Sequence, residues 1–546
     1  MSRFADHLIV APVVMPLLAG AIMLLLDERR RAWKAAIAIA ATVALVVVAI
    51  IMLAAIDSPP ESAGSAAVYR LGAWPAPFAI VLVADRLAAL MLLLTSVLAS
   101  ASLLFSLARW HRVGAHFHPM FQFLLMGLNG AFLTGDLFNL FVFFELLLAA
   151  SYGLALHGSG ALRVKAGLHY IAINLAASLL FLVGVSLIYG VAGTLNMADL
   201  AARIPAIAPE SRPLLEAGAG ILGVVFLLKA GMWPLCFWLP TTYAAAAAPV
   251  AAIFAIMTKV GVYIVLRLWL LLFSLEAEVS TPFGGDWLLF GGLATVAFGI
   301  VGTLASQDLP RLTAFSVLVS SGTVLAAIGM GQVAVTTGAL FYLVSSTLGL
   351  GALFLLVELA ERGREPGADV LAVTREAYGE EGEDIEEAEQ IGVAIPATMA
   401  LLGIAFVGCA LVVAGLPPLS GFIAKFALLS AALNPPPTGS GGPIAGASWA
   451  LLGMLILSGL AALIAMVRAG IRTFWAAPDR AIPRVRVIEM APVAILIILC
   501  GILTIQAGPI LRYMRNTAEV LHTPRSYIDD VLRPSVSGSA RGADRS

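Results

Sequence analysis

Three lysines of this chain lie inside long apolar segments, where lysine is rare. They are Lys229, Lys259 and Lys425, and the only other lysines are Lys34 and Lys165. A charged side chain at the centre of a bilayer costs roughly 3 kcal/mol on insertion scales, so it is usually retained for a proton or ion path or for a buried ion pair. Lys34 and Lys165 fall in predicted loops, where lysine is ordinary. The other three therefore indicate an ion path.

Prolines interrupt two of the apolar segments that carry these lysines. Pro234 and Pro240 follow the first lysine in KAGMWPLCFWLP, and Pro417 and Pro418 precede the third in GLPPLSGFIAKF. Proline removes a helical hydrogen bond, and irregular backbone at membrane depth survives only against protein or in a watery cavity. Paired interrupted segments are typical of transporter sites. We therefore predict a helix break beside each of the two lysines.

Glu145 is the carboxylate that we expect to match a buried lysine. It lies in GDLFNLFVFFELLLAASYGL, about a dozen ångströms deeper along a helix than Asp136, which we interpret as an interfacial cap. Burial favours the neutral form of a lysine, and a nearby carboxylate favours the charged form. A pair of Glu145 and Lys229 on two helices would let movement of the carboxylate decide whether the lysine holds a proton.

Several polar residues are weaker candidates for a proton relay. His169, near a helix start, fits either a relay or a satisfied interfacial histidine. Tyr263 lies four residues after Lys259 and hence on the same helix face. The remaining hydroxyls would either hold water or pack between helices. They are Thr258, Ser320, Ser321, Ser345 and Ser346.

The composition excludes a soluble protein. Of the 546 residues, 60% are hydrophobic and 12% are charged, and the mean hydropathy is +0.97. We therefore predict an all-α, multi-pass membrane protein. The net charge of −1 gives no reason to expect nucleic acid as a partner. Cys236, Cys409 and Cys500 lie in or beside apolar runs without a CxxC pair and are interpreted as small buried hydrophobic residues.

Catalytic and cofactor motifs are not found in the sequence. It has no Walker loop, dinucleotide fingerprint, HExxH motif or histidine cluster suited to haem or a metal. We therefore expect no cofactor, no metal and no enzymatic activity in this chain. The energy for transport would come from an ion gradient or from a partner protein.

Apolar segments of about 20 residues predict about 14 transmembrane helices. The first is interpreted as a retained helix rather than a cleaved signal, because a run of arginines follows it. The predicted spans are 7–26, 35–56, 77–107, 118–134, 136–156, 167–190, 215–240, 248–274, 286–305, 311–330, 335–360, 391–430 with a break, 448–470 and 488–511.

Arginine and lysine are unevenly distributed among the predicted loops. Clusters follow the odd-numbered spans, which predicts that these loops are cytoplasmic and that the N-terminus lies outside. An even number of spans would place the C-terminal tail outside as well, and the arginines of the tail contradict the rule. The clusters lie at 29–34, 109–112, 163–165 and 468–486, and the tail carries Arg512, Arg515, Arg525 and Arg533.

Two polar segments interrupt or follow the apolar pattern. The acidic stretch 361–390, with EEGEDIEEAEQ, is typical of a solvated loop and less often of a docking surface for another subunit. The low-complexity tail from Pro534 is predicted to be disordered.

Five motifs, in order, resemble the antiporter-like subunits shared by Mrp-type cation/proton antiporters, respiratory complex I and membrane-bound hydrogenases. Together they extend the resemblance over most of the chain, from about residue 78 to 475. Within the family, GDLFNLFVFFE, YGVAGTLNMADLA and lysine at 425 resemble the D-type subunits of Mrp antiporters. The five motifs are FELLLAASYGL, KAGMWPLCFWLP, APVAAIFAIMTKVGVYIVLR, SQDLPRLTAFSVLVSSG and GLPPLSGFIAKF.

The resemblance implies two inverted five-helix repeats and two broken helices. Residues 1–110 would hold the first three spans, 111–275 the first repeat, 276–475 the second, and 476–546 the last span and the tail. Glu145 and Lys229 would form a pair, and Lys259 would pass protons laterally to Lys425. The resemblance also implies a hetero-oligomer in the bacterial cell membrane, with an A-type subunit and small subunits as partners and lipid around it, exchanging Na+ for protons in pH homeostasis.

The sequence departs from the family pattern at a few positions. Cys236 and Ser320 stand where the family often has histidine. The eleventh span has Ser346 and Leu350 in place of the histidine and lysine common in complex I relatives. The lateral path would then depend on water between the lysines or bypass this span.

Two other functions fit the same residues. The chain could be a proton-pumping subunit of a complex I-like or hydrogenase complex, which would couple proton movement to electron transfer. It could instead be a structural scaffold in which buried charges fix helix packing. No cluster of carboxylates and carbonyls suited to sodium is evident, which favours a proton path in this chain and a sodium path elsewhere.

Overall fold

The structure is a computed structural model that describes residues 7–57, 66–74, 80–273, 283–362, 397–434, 446–475 and 483–533. Within these ranges, twelve helices are long and apolar enough to cross a membrane, and two shorter apolar helices accompany them. The predicted class, an all-α multi-pass membrane protein, is confirmed. Most of the acidic stretch 361–390 and the tail from Pro534 lie outside the described residues.

The first half of the chain contains one β-hairpin and the helices that precede and follow it. Its elements are α1 Ala11–Leu25, α2 Arg31–Asp57, β1 Ala66–Arg70, β2 Val81–Asp85, α3 Arg86–Ser106, α4 Phe117–Leu133, α5 Leu137–Ala155, α6 Ala161–Ala192, α7 Met197–Arg203, α8 Arg212–Ala230, α9 Trp238–Ala245 and α10 Ala248–Leu272.

The described second half is helical throughout its regular elements. These are α11 Gly285–Ala305, α12 Leu309–Gly329, α13 Val333–Glu361, α14 Ala397–Ala414, α15 Ser420–Leu433, α16 Gly446–Gly470, α17 Val487–Ile505, α18 Ala507–His522 and α19 Arg525–Leu532, with a short π-helical turn at Ile471–Trp475.

Two predicted spans differ from the structure in kind. The span 77–107 begins as strand β2, which pairs with β1 in antiparallel register. Asp85 then accepts a hydrogen bond from the Ala88 amide and starts α3 as its N-cap. The span 488–511 is divided, since α17 ends at Ile505 and the amphipathic α18 begins at Ala507.

The interpretation of Lys34 and Lys165 as loop residues is wrong. Both lie near the starts of helices, Lys34 as the fourth residue of α2 and Lys165 as the fifth of α6. Lys34 is buried and forms an ion pair with Glu28 at 2.6 Å, whereas Lys165 is exposed. Polar residues at a helix start are hard to separate from a loop in sequence, because hydropathy detects only the apolar part of a helix.

The C-terminal helices share a face with the start of the chain, which we call the hairpin face. Asp530 of α19 accepts a hydrogen bond from the Ala66 amide of β1 at 3.1 Å. The ring of His7, just before α1, lies 5.8 Å from the ring of Tyr69 in β1. The tail arginines therefore lie on the same face as the N-terminal end, as the even number of predicted spans required.

The opposite face, which we call the arginine-rich face, carries the basic clusters. Arg486, before α17, donates to Ala108 O at 3.4 Å. Arg362, at the end of α13, bonds Glu489 of α17 at 2.7 Å. The acidic stretch begins on this face, because Arg362 is its second residue.

Helices α10 and α13 form the centre of the molecule. In each, 94% of the most apolar window is buried within the chain. Gly261 of α10 packs directly on the end of α8, where a Cβ would lie 2.5 Å from the Ala230 nitrogen. This contact keeps the helix with Lys259 against the helix with Lys229. Cys236, Cys409 and Cys500 are buried and free, as predicted.

Candidate functional site

Lys229 lies where α8 stops. The helix ends at Ala230 because Gly231 adopts a left-handed conformation, with φ of 73°, that glycine tolerates without strain. Carbonyl groups at a helix C-terminus favour a cation in the last turn. The Lys229 ammonium is buried without a hydrogen-bond partner among the described residues, and its nitrogen lies 4.8 Å from the centre of the Phe144 ring. The helix end and an aromatic face therefore surround this charge.

Glu145 lies on α5, one residue from Phe144, and is half-buried. Ser178 of α6 donates a short hydrogen bond to its carboxylate. Because Lys229 has no bonded partner within the described residues, the expected pair with Glu145 is open in this structure. The Phe144 ring lies 6.1 Å from that of Phe226, one turn before the lysine, so the two helices are neighbours.

Lys259 is completely buried in the middle of α10. Its ammonium donates to Ser320 Oγ of α12 at 2.7 Å and lies 3.5 Å from Ser321 Oγ. Ser320 Oγ is in turn hydrogen-bonded to Ser346 Oγ of α13 at 2.7 Å. The lysine nitrogen thus begins a line of hydroxyl groups that crosses from α10 through α12 to α13.

Lys425 lies beside the second broken helix. α14 ends at Ala414, Gly415 has φ of 78°, and α15 begins at Ser420. The Lys425 ammonium donates to Ala414 O at 2.9 Å and lies 3.5 Å from Ser458 Oγ of α16. A carbonyl group freed by the break therefore binds the lysine, as expected where a helix C-terminus meets a cation.

The predicted prolines differ in their relation to the breaks. Pro234 lies in the break at 231–237, and Pro417 and Pro418 lie in the break at 415–419. Pro240 instead lies in the first turn of α9, where the missing amide has no helical partner to lose. The backbone is therefore interrupted beside Lys229 and near Lys425.

A cavity of ≈ 20 Å³ separates the partners of Lys259 from those of Lys425. This volume exceeds the roughly 10–15 Å³ that one ordered water requires. The cavity lies among α11, α12, α13 and α16 and the second helix break. We call it the serine cavity, because five of its seven hydroxyl-bearing residues are serines. They are Ser316, Ser320, Ser345, Ser346 and Ser458, with Thr303 and Tyr342 as the other two.

Other predicted relay residues lie outside this line. Tyr263 donates to Phe132 O at 2.6 Å and accepts from Arg267 Nε. Thr258 is bonded to the Ala255 carbonyl of its own helix. His169 is exposed on α6, with its ring 5.5 Å from that of Phe237.

Two predictions about individual polar residues have clear outcomes in the structure. Asp136 accepts hydrogen bonds from the amides of Phe138 and Asn139 at 2.8 and 2.9 Å, which confirms it as the cap of α5. Ser345 is bonded to Ser420 at the start of α15 at 2.7 Å, so it connects α13 to the second break.

Sequence reasoning missed three features of the site. Ser178 and Ser458 were overlooked because a serine in an apolar span usually packs between helices. Arg267, two turns beyond Lys259, forms a buried ion pair with Asp85 at 2.7 Å. The position of Arg267 within an apolar run could have predicted such a pair, because a charge inside a membrane segment is expected to have a partner. Among the described residues, no group of three or more His, Cys, Asp or Glu side chains is arranged to hold a metal.

Comparison with protein families identifies relatives over most of the chain. Residues 134–437 match the family model described as NADH:quinone oxidoreductase/Mrp antiporter, transmembrane. A protein of Rhizobium meliloti, named as the D-type subunit of a probable K+/H+ antiporter, is 59% identical over 99% of this chain and 100% of its own length. The D-type subunit of a Na+/H+ antiporter from Alkalihalophilus pseudofirmus is 34% identical, over 85% of this chain and 88% of its own.

Solved structures share the fold. A chain of the Mrp complex from Dietzia sp. DQ12-45-1b is 25% identical and aligns with a TM-score of 0.81, over 97% of this chain and 100% of that one. A chain of respiratory complex I from Thermus thermophilus gives a TM-score of 0.72 at 22% identity, over 96% and 99%. At 22% identity, the match to the complex I chain supports a shared fold and nothing more.

Proposed function

The chain belongs to the NADH:quinone oxidoreductase/Mrp antiporter transmembrane family, among the D-type subunits of Mrp antiporters, and on that premise we propose that it carries protons in a hetero-oligomeric antiporter of monovalent cations. The observation that carries the proposal is the line from Lys259 through Ser320 and Ser346 into the serine cavity. A proton can move along such a line because each hydroxyl both accepts and donates.

Glu145 and Lys229 are proposed as the switch that loads and releases the proton. With the carboxylate bonded to Ser178, as in this structure, the lysine lacks a directly bonded counter-charge and its neutral form is favoured. If Glu145 turns toward the lysine, the ammonium is favoured. Alternation between these two arrangements would take up a proton and then pass it on.

The lateral step is proposed to run from Lys229 through Lys259 to Lys425. The contact at Gly261 keeps the first two lysine-bearing helices together. Ser346 occupies the position where complex I relatives often have histidine, and water in the serine cavity would complete the connection to Ser458 and Lys425. The sequence left open a path through water between the lysines and a path that bypasses helix α13. The proposal adopts the path through water.

The described helices support a topology of 14 crossings in two inverted repeats. α8 with α9, and α14 with α15, each count as one interrupted crossing. The first repeat would cover 111–275 and the second 276–475. With the basic clusters on the cytoplasmic side of a bacterial cell membrane, the hairpin face and the N-terminus would lie outside.

The exchanged cation is proposed to be Na+ or K+. A relative at 59% identity is named for K+ and one at 34% for Na+. The proposed partners are an A-type subunit and small membrane subunits, with lipid over the remaining surface. Exposed apolar side chains such as Leu179, 68% exposed on α6, fit either environment.

Alanine at Glu145 or Lys229 tests this function. We expect Glu145→Ala and Lys229→Ala each to abolish exchange in an assembled complex, because each removes one half of the switch. Exchange is followed in everted vesicles with a pH-sensitive dye after addition of Na+ or K+. Lys165→Ala is the control, since that lysine is exposed on α6. Near-normal exchange in both variants would contradict the assignment.

The two other functions make different predictions. A subunit of a redox-driven proton pump would copurify with iron–sulfur proteins and move protons on addition of a reductant. A structural scaffold would lose assembly, rather than transport, when Lys259 is changed to alanine. Purification of the native complex with its companions separates the three cases.

A further inference from the structure

Thr303 of α11 carries a buried hydroxyl that its own helix does not bind. The hydroxyls of Ser306, Thr313 and Thr323 each donate to the carbonyl four residues earlier, at 2.7 or 2.8 Å. Thr303 is 2% exposed, and its hydroxyl has no partner among the described residues. A buried hydroxyl without a hydrogen bond destabilises the fold, so a partner for it is expected. Water in the adjoining serine cavity would supply the bond.

The serine cavity extends from this hydroxyl, near the arginine-rich face, toward Lys259. Thr303 lies two residues before the end of α11, about 3 Å along the helix axis. Ser316, also in the lining, lies on α12 one turn from Ser320, which binds Lys259. The lining therefore contains a row of hydroxyl groups, those of Thr303, Ser316 and Ser320, from the end of α11 to Lys259.

Arg468 of α16 binds the end of α11 beside this row of hydroxyl groups. It donates hydrogen bonds to Leu304 O and, at 3.0 Å, to Ser306 O. These carbonyls belong to the last turn and the C-cap of α11, next to Thr303. The side chain of Arg468 is half-buried and binds the end of α11 at the arginine-rich face.

We propose that the serine cavity is a hydrated access route from the arginine-rich face to Lys259, in which Thr303 and Ser316 bind the water and Arg468 closes the mouth. It rests on the proposed function, because the species delivered is the proton that Lys259 carries. Each water or hydroxyl accepts one proton and releases another, so it is left unchanged. The last proton converts neutral Lys259 to the ammonium.

Cysteine accessibility tests the route without measuring transport. In the assembled complex, with Cys236, Cys409 and Cys500 of this chain replaced by alanine, Thr303→Cys is exposed to a small methanethiosulfonate reagent from the arginine-rich face. We expect labelling several-fold faster than at Thr313→Cys, a matched control on α12 that is buried outside the cavity lining. Addition of Arg468→Gln should accelerate labelling further. Labelling of Thr303→Cys no faster than the control, with or without that change, overturns the proposal.

A conservative variant gives the second measurement. Thr303→Val keeps the shape and removes a hydroxyl that nothing in the described chain binds, so folding should be unaffected. We expect several-fold slower exchange in Thr303→Val and an unchanged rate in Thr313→Val. Equal rates in the two variants count against the route.

Failure of the route and failure of the proposed function are distinguishable. Normal exchange in Lys259→Ala would contradict the proposed lysine relay. Labelling of Thr303→Cys in the same complex would still show that the serine cavity is hydrated. Loss of exchange in Lys259→Ala, together with no labelling at Thr303→Cys, would support the lysine relay and contradict the access route through the serine cavity.

Discussion

Glu145 has two potential partners, Ser178 and Lys229, and among the described residues its hydrogen bond is with Ser178. Hydrogen bonds to charged groups contribute about 1.5–3 kcal/mol, so loss of this bond should favour the arrangement paired with Lys229 by roughly tenfold or more. We predict that Ser178→Ala slows exchange and moves its half-maximal pH upward, because the paired lysine releases its proton less readily. The pH profile of dye-detected exchange measures this shift.

Ser186 provides the matched control for this change. It lies on the same helix and donates to its own Leu182 carbonyl at 2.7 Å. Ser186→Ala should leave the profile in place. If Ser178→Ala behaves as Ser186→Ala does, the carboxylate is not held by the serine in the working complex.

The sequence identified the charged residues of the site better than their partners. A lysine in an apolar run is conspicuous whatever its neighbours are, because the cost of burying its charge does not depend on details of packing. Ser178 and Ser458 contact Glu145 and Lys425 only through helix packing, which hydropathy does not report. The sequence could not show that Glu145 and Lys229 are unpaired either. The paired and unpaired arrangements differ only in side-chain position, which the sequence does not specify.

At the scale of helices, Gly261 sets how closely α10 packs on the end of α8. A Cβ there would lie 2.5 Å from a backbone nitrogen, so the two helices would have to separate. We predict that Gly261→Ala lowers the thermal stability of the complex, since overpacking typically costs about 1–3 kcal/mol, and slows exchange. Scanning fluorimetry and vesicle exchange measure the two effects. Gly223→Ala, with open space on α8, should leave both unchanged or slightly improve stability.

Attachment of α18 to the bundle should depend on pH. His522 is hydrogen-bonded to Thr336 of α13 at 3.0 Å, and burial lowers the pKa of His522 to about 4. Because the exposed side chain has a pKa near about 6.5, the detached state binds more protons, and attachment weakens as pH falls from about 6.5 toward 4.

Hydrogen exchange of α18 at neutral pH and at about pH 5 measures this effect. Amide exchange is intrinsically slower at the lower pH, so each measured rate is divided by the intrinsic rate at that pH. On that scale we expect α18 to lose protection at the lower pH relative to the central helix α10. His522→Gln should remove the difference between the two conditions. A difference that persists in the variant would mean that another group controls the attachment.

Helices that cross the membrane were predictable from hydropathy, whereas elements at its surface were not. Every predicted span with described residues contains a helix, because apolar length alone requires one. Strand β2 was assigned to a helix since VLVAD continues directly into the apolar run of α3. Helices α18 and α19 were missed because their charges conceal an amphipathic pattern. The second break was found from Pro417 and Pro418, whose effect on a helix is local.

At the scale of the whole molecule, the path of the cation decides how this chain takes part in exchange. A relative named for K+ aligns over 99% of this chain, and one named for Na+ aligns over 85%. If only protons pass through this chain, any defect in its proton path should slow K+-driven and Na+-driven exchange by the same factor. A cation path within the chain would be affected differently, because the two ions differ in their preferred coordination.

Ser346→Ala makes this distinction, since Ser346 joins Ser320 to the serine cavity and carries no charge. We predict that it lowers both exchange activities several-fold and equally, and that Ser346→Thr, which keeps the hydroxyl, restores most of each. Thr347→Val is the control, because Thr347 donates to Leu343 O within its own helix. The measurement is the initial rate of dye response over matched series of K+ and Na+ concentrations. Unequal losses would place the cation in the serine cavity beside the proton, whereas equal losses would place the cation path elsewhere in the complex.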